Sequence, residues 1–102
     1  MEDPGYLVVT RWRFAGPGEA DTARRRFRAS YGPLVSAQPG FRRWYLAATG
    51  IDELLTASLW DSRAAFEAAQ GQLLAWRWAH LATLGARTPV RPRGAVVAHA
   101  GR

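Results

Sequence analysis

The 102-residue chain contains no cysteine, no lysine and only two histidines. Without cysteine there is no disulfide framework, thiolate metal site or cysteine nucleophile. Without lysine, Schiff-base catalysis and the lysine-dependent phosphate loop are excluded too. His80 and His99 are too few for a self-sufficient metal site, and no G-x-S-x-G elbow, H-E-x-x-H pair or carboxylate-glycine calcium loop is present. Hydrolase and metalloenzyme chemistries fall away. No apolar run approaches the roughly 20 residues of a membrane helix. The start, MEDPGYLVV, is acidic where a secretory signal is basic, so the expectation is a soluble cytoplasmic protein with no membrane partner.

What is present is apolar and aromatic. Hydrophobic residues make up 48% of a chain long enough for one domain, and five tryptophans require a core, a pocket or a partner surface to cover them. The net charge of +6 comes entirely from arginine. The one dense cluster, Arg24-Arg25-Arg26-Phe27-Arg28, reads either as a solvated helix face or as a nucleic-acid contact, and the solvated face is the expectation.

Tyr6 to Phe14 is β-branched and aromatic and predicts a strand. After Gly16-Pro17-Gly18, the residues Ala20, Ala23, Phe27, Tyr31 and Leu34 recur at helical spacing, and Gly32-Pro33 ends or bends that helix. Phe41 to Ala48 and Leu54 to Trp60 predict a hairpin. Asp61 or Ser62 then caps a helix that stops near Gly71, and a second helical piece runs from Gln72 to Leu84. Ala86 to Arg93 reads as loop and Gly94 to Ala100 as a last strand. The order predicts an α+β, ferredoxin-like βαββαβ domain, with a four-stranded antiparallel sheet and helices on one face. Leu55, Ala57 and Leu59 lie on the face opposite Leu54 and Trp60, so both faces need cover. A second copy of the chain is the simplest cover for the outer face, which predicts a homodimer.

In the second helical piece Leu73, Leu84, Leu81, Leu74 and Trp78 form one apolar arc with Trp76 and His80 at its edge, and Arg77 falls inside it. A guanidinium there either snorkels outward or faces a cavity with something to pair with. His80 is either a packing residue or a base near neutral pH.

Gln38-Pro39-Gly40-Phe41, the hairpin, and Trp60-Asp61-Ser62 followed by Phe66 resemble the antibiotic biosynthesis monooxygenase superfamily of dimeric α+β barrels, over about Tyr6 to Ala100. The resemblance implies a small cofactor-independent oxygenase that converts a lipophilic, polyketide-like aromatic to a quinone with O2. A flavin from a partner reductase, or haem, is the cofactor-bearing alternative. It places Trp60 in the substrate cavity, with Trp60 donating to a substrate oxygen, Arg77 holding the anion and His80 taking the proton. Trp12, Trp44, Phe66, Trp76, Thr56 and Arg11 complete the candidate substrate-binding set. Polyketide-type members carry an asparagine and a tyrosine where this chain has Thr56 and Phe66. Of the haem-degrading branch's three marker positions, near Arg11, at Ala69 and near His80, only the last keeps a matching residue type. A non-catalytic ligand-binding or accessory protein is the rival from a different class.

Overall fold

The computed structural model describes residues 4–87 and 93–96. Strands β1 (Tyr6–Arg13), β2 (Phe41–Gly50), β3 (Glu53–Trp60) and β4 (Arg93–Ala95) form one antiparallel sheet in the order β2-β3-β1-β4. Helices α1 (Pro17–Arg26), α2 (Gly32–Ser36) and α3 (Arg63–His80) complete the ferredoxin-like α+β fold. The last strand, expected over Gly94 to Ala100, begins at Arg93, expected in a loop, and runs to Ala95 among the described residues. Residues 97–100 of that strand, including His99, lie outside the described residues.

Neither Gly32-Pro33, expected to end or bend the first helix, nor Gly71, expected to stop the next, ends its helix. Gly32-Pro33 does not end the first helix, because the Phe27–Tyr31 segment between α1 and α2 is a π turn. There the Gly32 N–H reaches back five residues to the Phe27 carbonyl. The wider turn accommodates a proline that has no N–H to give and whose ring crowds the preceding turn. Gly71 does not stop α3 either, and a methyl group there would meet nothing. The local cost of glycine, about 1 kcal/mol, is outweighed by the burial of Phe66, Ala69, Leu73 and Trp76 along the helix. Because α3 ends at His80 and gives way to a 3-10 turn over Ala82–Leu84, Leu81 and Leu84 leave the predicted arc. Trp76 continues the buried stripe of Phe66, Ala69 and Leu73 and so faces inward, and Trp78 is 77% exposed.

The Pro39-Gly40-Phe41 turn and the Trp60-x-Ser62 step form one joint. Gly40 adopts φ +80°, and a Cβ there would sit 2.6 Å from Ala65 Cβ on α3. Its carbonyl accepts from the Asp61 N–H at 2.7 Å. Ser62 is the N-cap of α3, its Oγ accepting from the Ala65 N–H at 3.1 Å. Phe41 and Trp60 pair across the strands with edge-to-face rings.

Alternation sorts the sheet's two faces. On β3, Leu54, Thr56, Ser58 and Trp60 are buried beneath the helices, whereas Leu55, Ala57 and Leu59 are only partly covered. Leu7 and Tyr45 on the same outer side are 39% and 57% exposed. The outer face therefore carries apolar residues, with Arg11 and Arg13 toward one end, and is without cover from the described helices.

The arginine cluster is largely occupied by its own protein. Arg24 and Arg25 pair with Asp21 at 2.5 and 2.6 Å and hold its carboxyl below the usual carboxylate range. Arg26 donates to the His80 carbonyl at 2.5 Å, tying α1 to the end of α3.

Candidate functional site

Strand register stacks the inner-face residues in rows. Trp44, Ser58 and Val8 form one row, and Leu46, Thr56 and Thr10 the next. Trp60 with Tyr6 and Phe41 lies beyond the first, and Trp12 with Leu54 beyond the second. The buried apolar residues accordingly separate into two clusters, one around Trp12, Phe27 and Trp76, the other around Val8, Trp60 and Phe66. A cavity of about 60 Å³ lies above the hydroxyl-bearing rows, between the sheet and α3. A buried water occupies roughly 10–15 Å³ by the same measure, so the space exceeds that of a trapped solvent molecule.

Thr10, Thr56 and Ser58 line the cavity from the sheet, and Trp12, Tyr31, Trp44 and Phe66 supply aromatic surface. Trp12 donates its indole N–H to Thr56 Oγ1 at 2.9 Å, and Trp60 donates to Ser58 Oγ at 2.8 Å. Each hydroxyl thus spends a lone pair on an indole and keeps its own hydrogen to donate. Among the described residues Arg77 and Arg93 are the cavity's charged residues, and no carboxylate lines it. Their guanidinium carbons lie 4.7 Å from the Trp12 ring centroid and 5.9 Å from that of Phe66. A second, more open depression of about 240 Å³ is bordered by Trp12, Leu74, Arg77 and Trp78. Trp12, Leu74 and Arg77 border both spaces, so the Arg77–Trp12 contact sits between the inner cavity and the outer groove.

Of the residues expected at the site, Trp12, Trp44, Thr56, Phe66 and Arg77 come together around the cavity. Four do not. Trp60 is fully buried, edge-on to Phe41 and Phe66, with its N–H consumed by Ser58; it reaches the cavity only through that hydroxyl. Trp76 donates to Ser30 Oγ at 2.8 Å and packs on Phe27 and Tyr31. His80 stacks on the Trp76 ring at 4.8 Å, at the far end of α3. Arg11 is on the outer sheet face, 3.9 Å from Glu53. The expected trio of Trp60, Arg77 and His80 is therefore not one constellation: Arg77 lines the cavity, Trp60 lies behind Ser58, and His80 sits one turn beyond Trp76 at the far end of α3.

The sequence reading missed Tyr31, Ser58 and Arg93. Ser58 left a signal: with Thr56 it is a hydroxyl residue on the strand face that carries Leu54 and Trp60. Tyr31 was assigned to a packing stripe, and only the tertiary arrangement shows its ring against Phe27, Trp44 and Trp76 at 5.3, 5.6 and 4.8 Å. Burial pushes its hydroxyl up to about 12.

The profile of the antibiotic biosynthesis monooxygenase family matches residues 5–75. The chain belongs to this family. No curated protein sequence matches the chain. Among solved structures similar to it is SnoaB, a cofactor-independent oxygenase from Streptomyces nogalater: 21% identity, TM-score 0.66, covering 97% of this chain and 96% of that one. A monooxygenase from Streptomyces coelicolor, ActVA-Orf6, solved with nanaomycin D, is 16% identical with TM-score 0.72, over 96% and 90% of the two chains. A dimeric ferredoxin-like protein from an uncultured marine organism is 15% identical with TM-score 0.76, over 98% and 94%. At these identities the likeness is one of fold.

Within this family fold, Tyr31 gives the cavity a pH signature. A phenol whose folded value lies above its unfolded value of 10.0 releases its proton more readily from the unfolded chain. The stabilisation is fully present below pH 10 and is lost as pH rises from there toward 12. At about 1.4 kcal/mol per unit, the loss across that window is about 2–3 kcal/mol. Urea unfolding measured between pH 9 and 12 is expected to show this fall, and Tyr31→Phe to remove it. An equal fall in the variant would mean that the Tyr31 hydroxyl is not buried.

Proposed function

We propose that the protein is a small oxygenase that oxidises an acidic, lipophilic aromatic metabolite with O2 and no metal or flavin. The observation that carries this reading is the composition of the cavity: aromatic walls, a hydroxyl-bearing floor and two arginines with no carboxylate among the lining residues. Such a site favours a flat aromatic in its anionic form, because the guanidinium charge lowers the cost of losing the ligand's proton. Family membership makes oxygenation the chemistry to test.

For an anthrone-type substrate the balance is a CH2 group plus O2 giving a C=O group plus water. Loss of a proton to solvent leaves an electron-rich anion. That anion passes one electron to O2, and the resulting pair combines at the same carbon as a peroxide. Protonation and cleavage of the O–O bond, with loss of the second C–H proton, yield the carbonyl and water. Arg77 holds the anion, and Thr56 and Ser58 donate to oxygens formed at the floor. Tyr31 stays protonated through neutral pH and serves as a donor rather than a base. In the closed cavity there is little room for several fused rings, so Arg77 swings off Trp12 and joins the inner cavity to the outer groove when the ligand enters.

Among the described residues no histidine or carboxylate lines the cavity, which favours a second reading: a protein that binds such a molecule without oxidising it. Dithranol separates the two. Under the oxygenase reading the protein consumes O2 and forms quinone above the uncatalysed rate, and Arg77→Ala lowers kcat/KM about 10- to 100-fold, the effect of one or two lost charge-assisted bonds. Binding with no O2 uptake above background would select the binding protein, and an unchanged kcat/KM in the variant would remove Arg77 from the site.

The apolar outer sheet face supports a homodimer packed sheet to sheet, as does the dimeric neighbour of the same fold. Sizing with light scattering at micromolar concentration is expected to give twice the chain mass, and Leu59→Glu to give the single chain. A wild-type monomer would refute the dimer.

A further inference from the structure

Each of the three other inner indoles has an acceptor within the protein. Trp12 donates to Thr56, Trp60 to Ser58 and Trp76 to Ser30, all at 2.8–2.9 Å. Trp44 lies in the middle of the inner face, opposite Ser58, and lines the cavity. Its Nε1–H is buried and has no acceptor among the described residues. Leaving a buried donor unpaired costs about 1–3 kcal/mol, and nearly all buried polar atoms in folded proteins avoid that cost. Nor is the ring free to turn away. It packs against Phe27 and Tyr31 at 6.3 and 5.6 Å, and its benzo edge faces Gly32, where even an added Cβ would come within 3.4 Å.

We propose that Trp44 is the residue that fixes the ligand: its Nε1–H donates to a carbonyl or phenolate oxygen of an aromatic molecule seated between Tyr31, Phe66 and Trp12. An indole N–H donates and never accepts, so this position selects ligands that present an acceptor oxygen and rejects hydrocarbons of the same shape. Arg77, on α3, supplies the other donor, and the two together fix the orientation of a flat ring system that the aromatic walls alone would leave free to slide. The role given to Trp60 by its sequence motif thus passes to an indole that the motif does not contain. This inference rests on the reading of the cavity as the site of an oxygenated aromatic.

The test compares two probes of one shape, 1,8-dihydroxyanthraquinone and anthracene, by quenching of tryptophan fluorescence in the wild type, in Trp44→Phe and, as a second donor-free variant, in Trp44→Leu. Thermal unfolding identifies which variants are folded. The wild type is expected to bind the dihydroxyanthraquinone at least tenfold more tightly than anthracene. Each folded variant should lose about tenfold for the oxygenated probe, with anthracene changed far less. Equal losses for both probes would make Trp44 a wall and overturn the inference, as would no loss for either. A variant that keeps its preference for the oxygenated probe while the wild type still oxidises dithranol would refute the role of Trp44 and leave the oxygenase reading standing. Failure of the wild type to bind either probe would refute both.

Discussion

Thr56 and Ser58, two buried hydroxyl residues in the middle of the inner sheet face, keep the interior from closing into a single core. A buried hydroxyl needs a partner, at a cost of about 1–3 kcal/mol if it has none. Here the partners are indoles, Trp12 for Thr56 and Trp60 for Ser58, one from each side. The apolar residues divide into a cluster on either side of these rows, and the cavity occupies the space between. Its location is thus set by hydrogen bonding on β3, and its charge by the two arginines that α3 and β4 bring to it.

The Trp60-x-Ser62 step is first of all a structural joint. Ser62 starts α3, Gly40 lets the preceding turn approach that helix, and Trp60 closes the end of the sheet against Phe41 and Phe66. The same tryptophan still bears on the site, because its N–H orients the hydroxyl of Ser58 on the cavity floor.

The fold was legible because its signals are local. Alternation on β1 and β3, the turn at Gly40 and the capping serine are each read within a few residues. The misread parts depend on geometry that the helical wheel does not contain. The π turn at Phe27–Tyr31 carries the first helix past Pro33, and the unbroken course of α3 through Gly71 puts Trp76 on the stripe of Phe66, Ala69 and Leu73 and leaves Trp78 outside. The place of Arg77 inside an apolar arc left an outward and a cavity-facing position open, and it lies over the Trp12 ring at the cavity. Tyr31 and the unpaired N–H of Trp44 were invisible, since a missing hydrogen bond is a property of the packed interior and leaves no trace in composition or spacing.

The central claim is that Trp44, and not Trp60, presents its indole N–H to the ligand. The five indole N–H signals in a 15N–1H correlation spectrum, assigned by single substitution, report on this directly during titration with 1,8-dihydroxyanthraquinone. The account predicts that in the free protein the Trp44 signal lies upfield of those from Trp12, Trp60 and Trp76, which are hydrogen-bonded. On binding it should move downfield as the bond forms, while Trp60 stays nearly fixed. A downfield shift of Trp60 with Trp44 unmoved would contradict the account and restore the motif tryptophan as the donor.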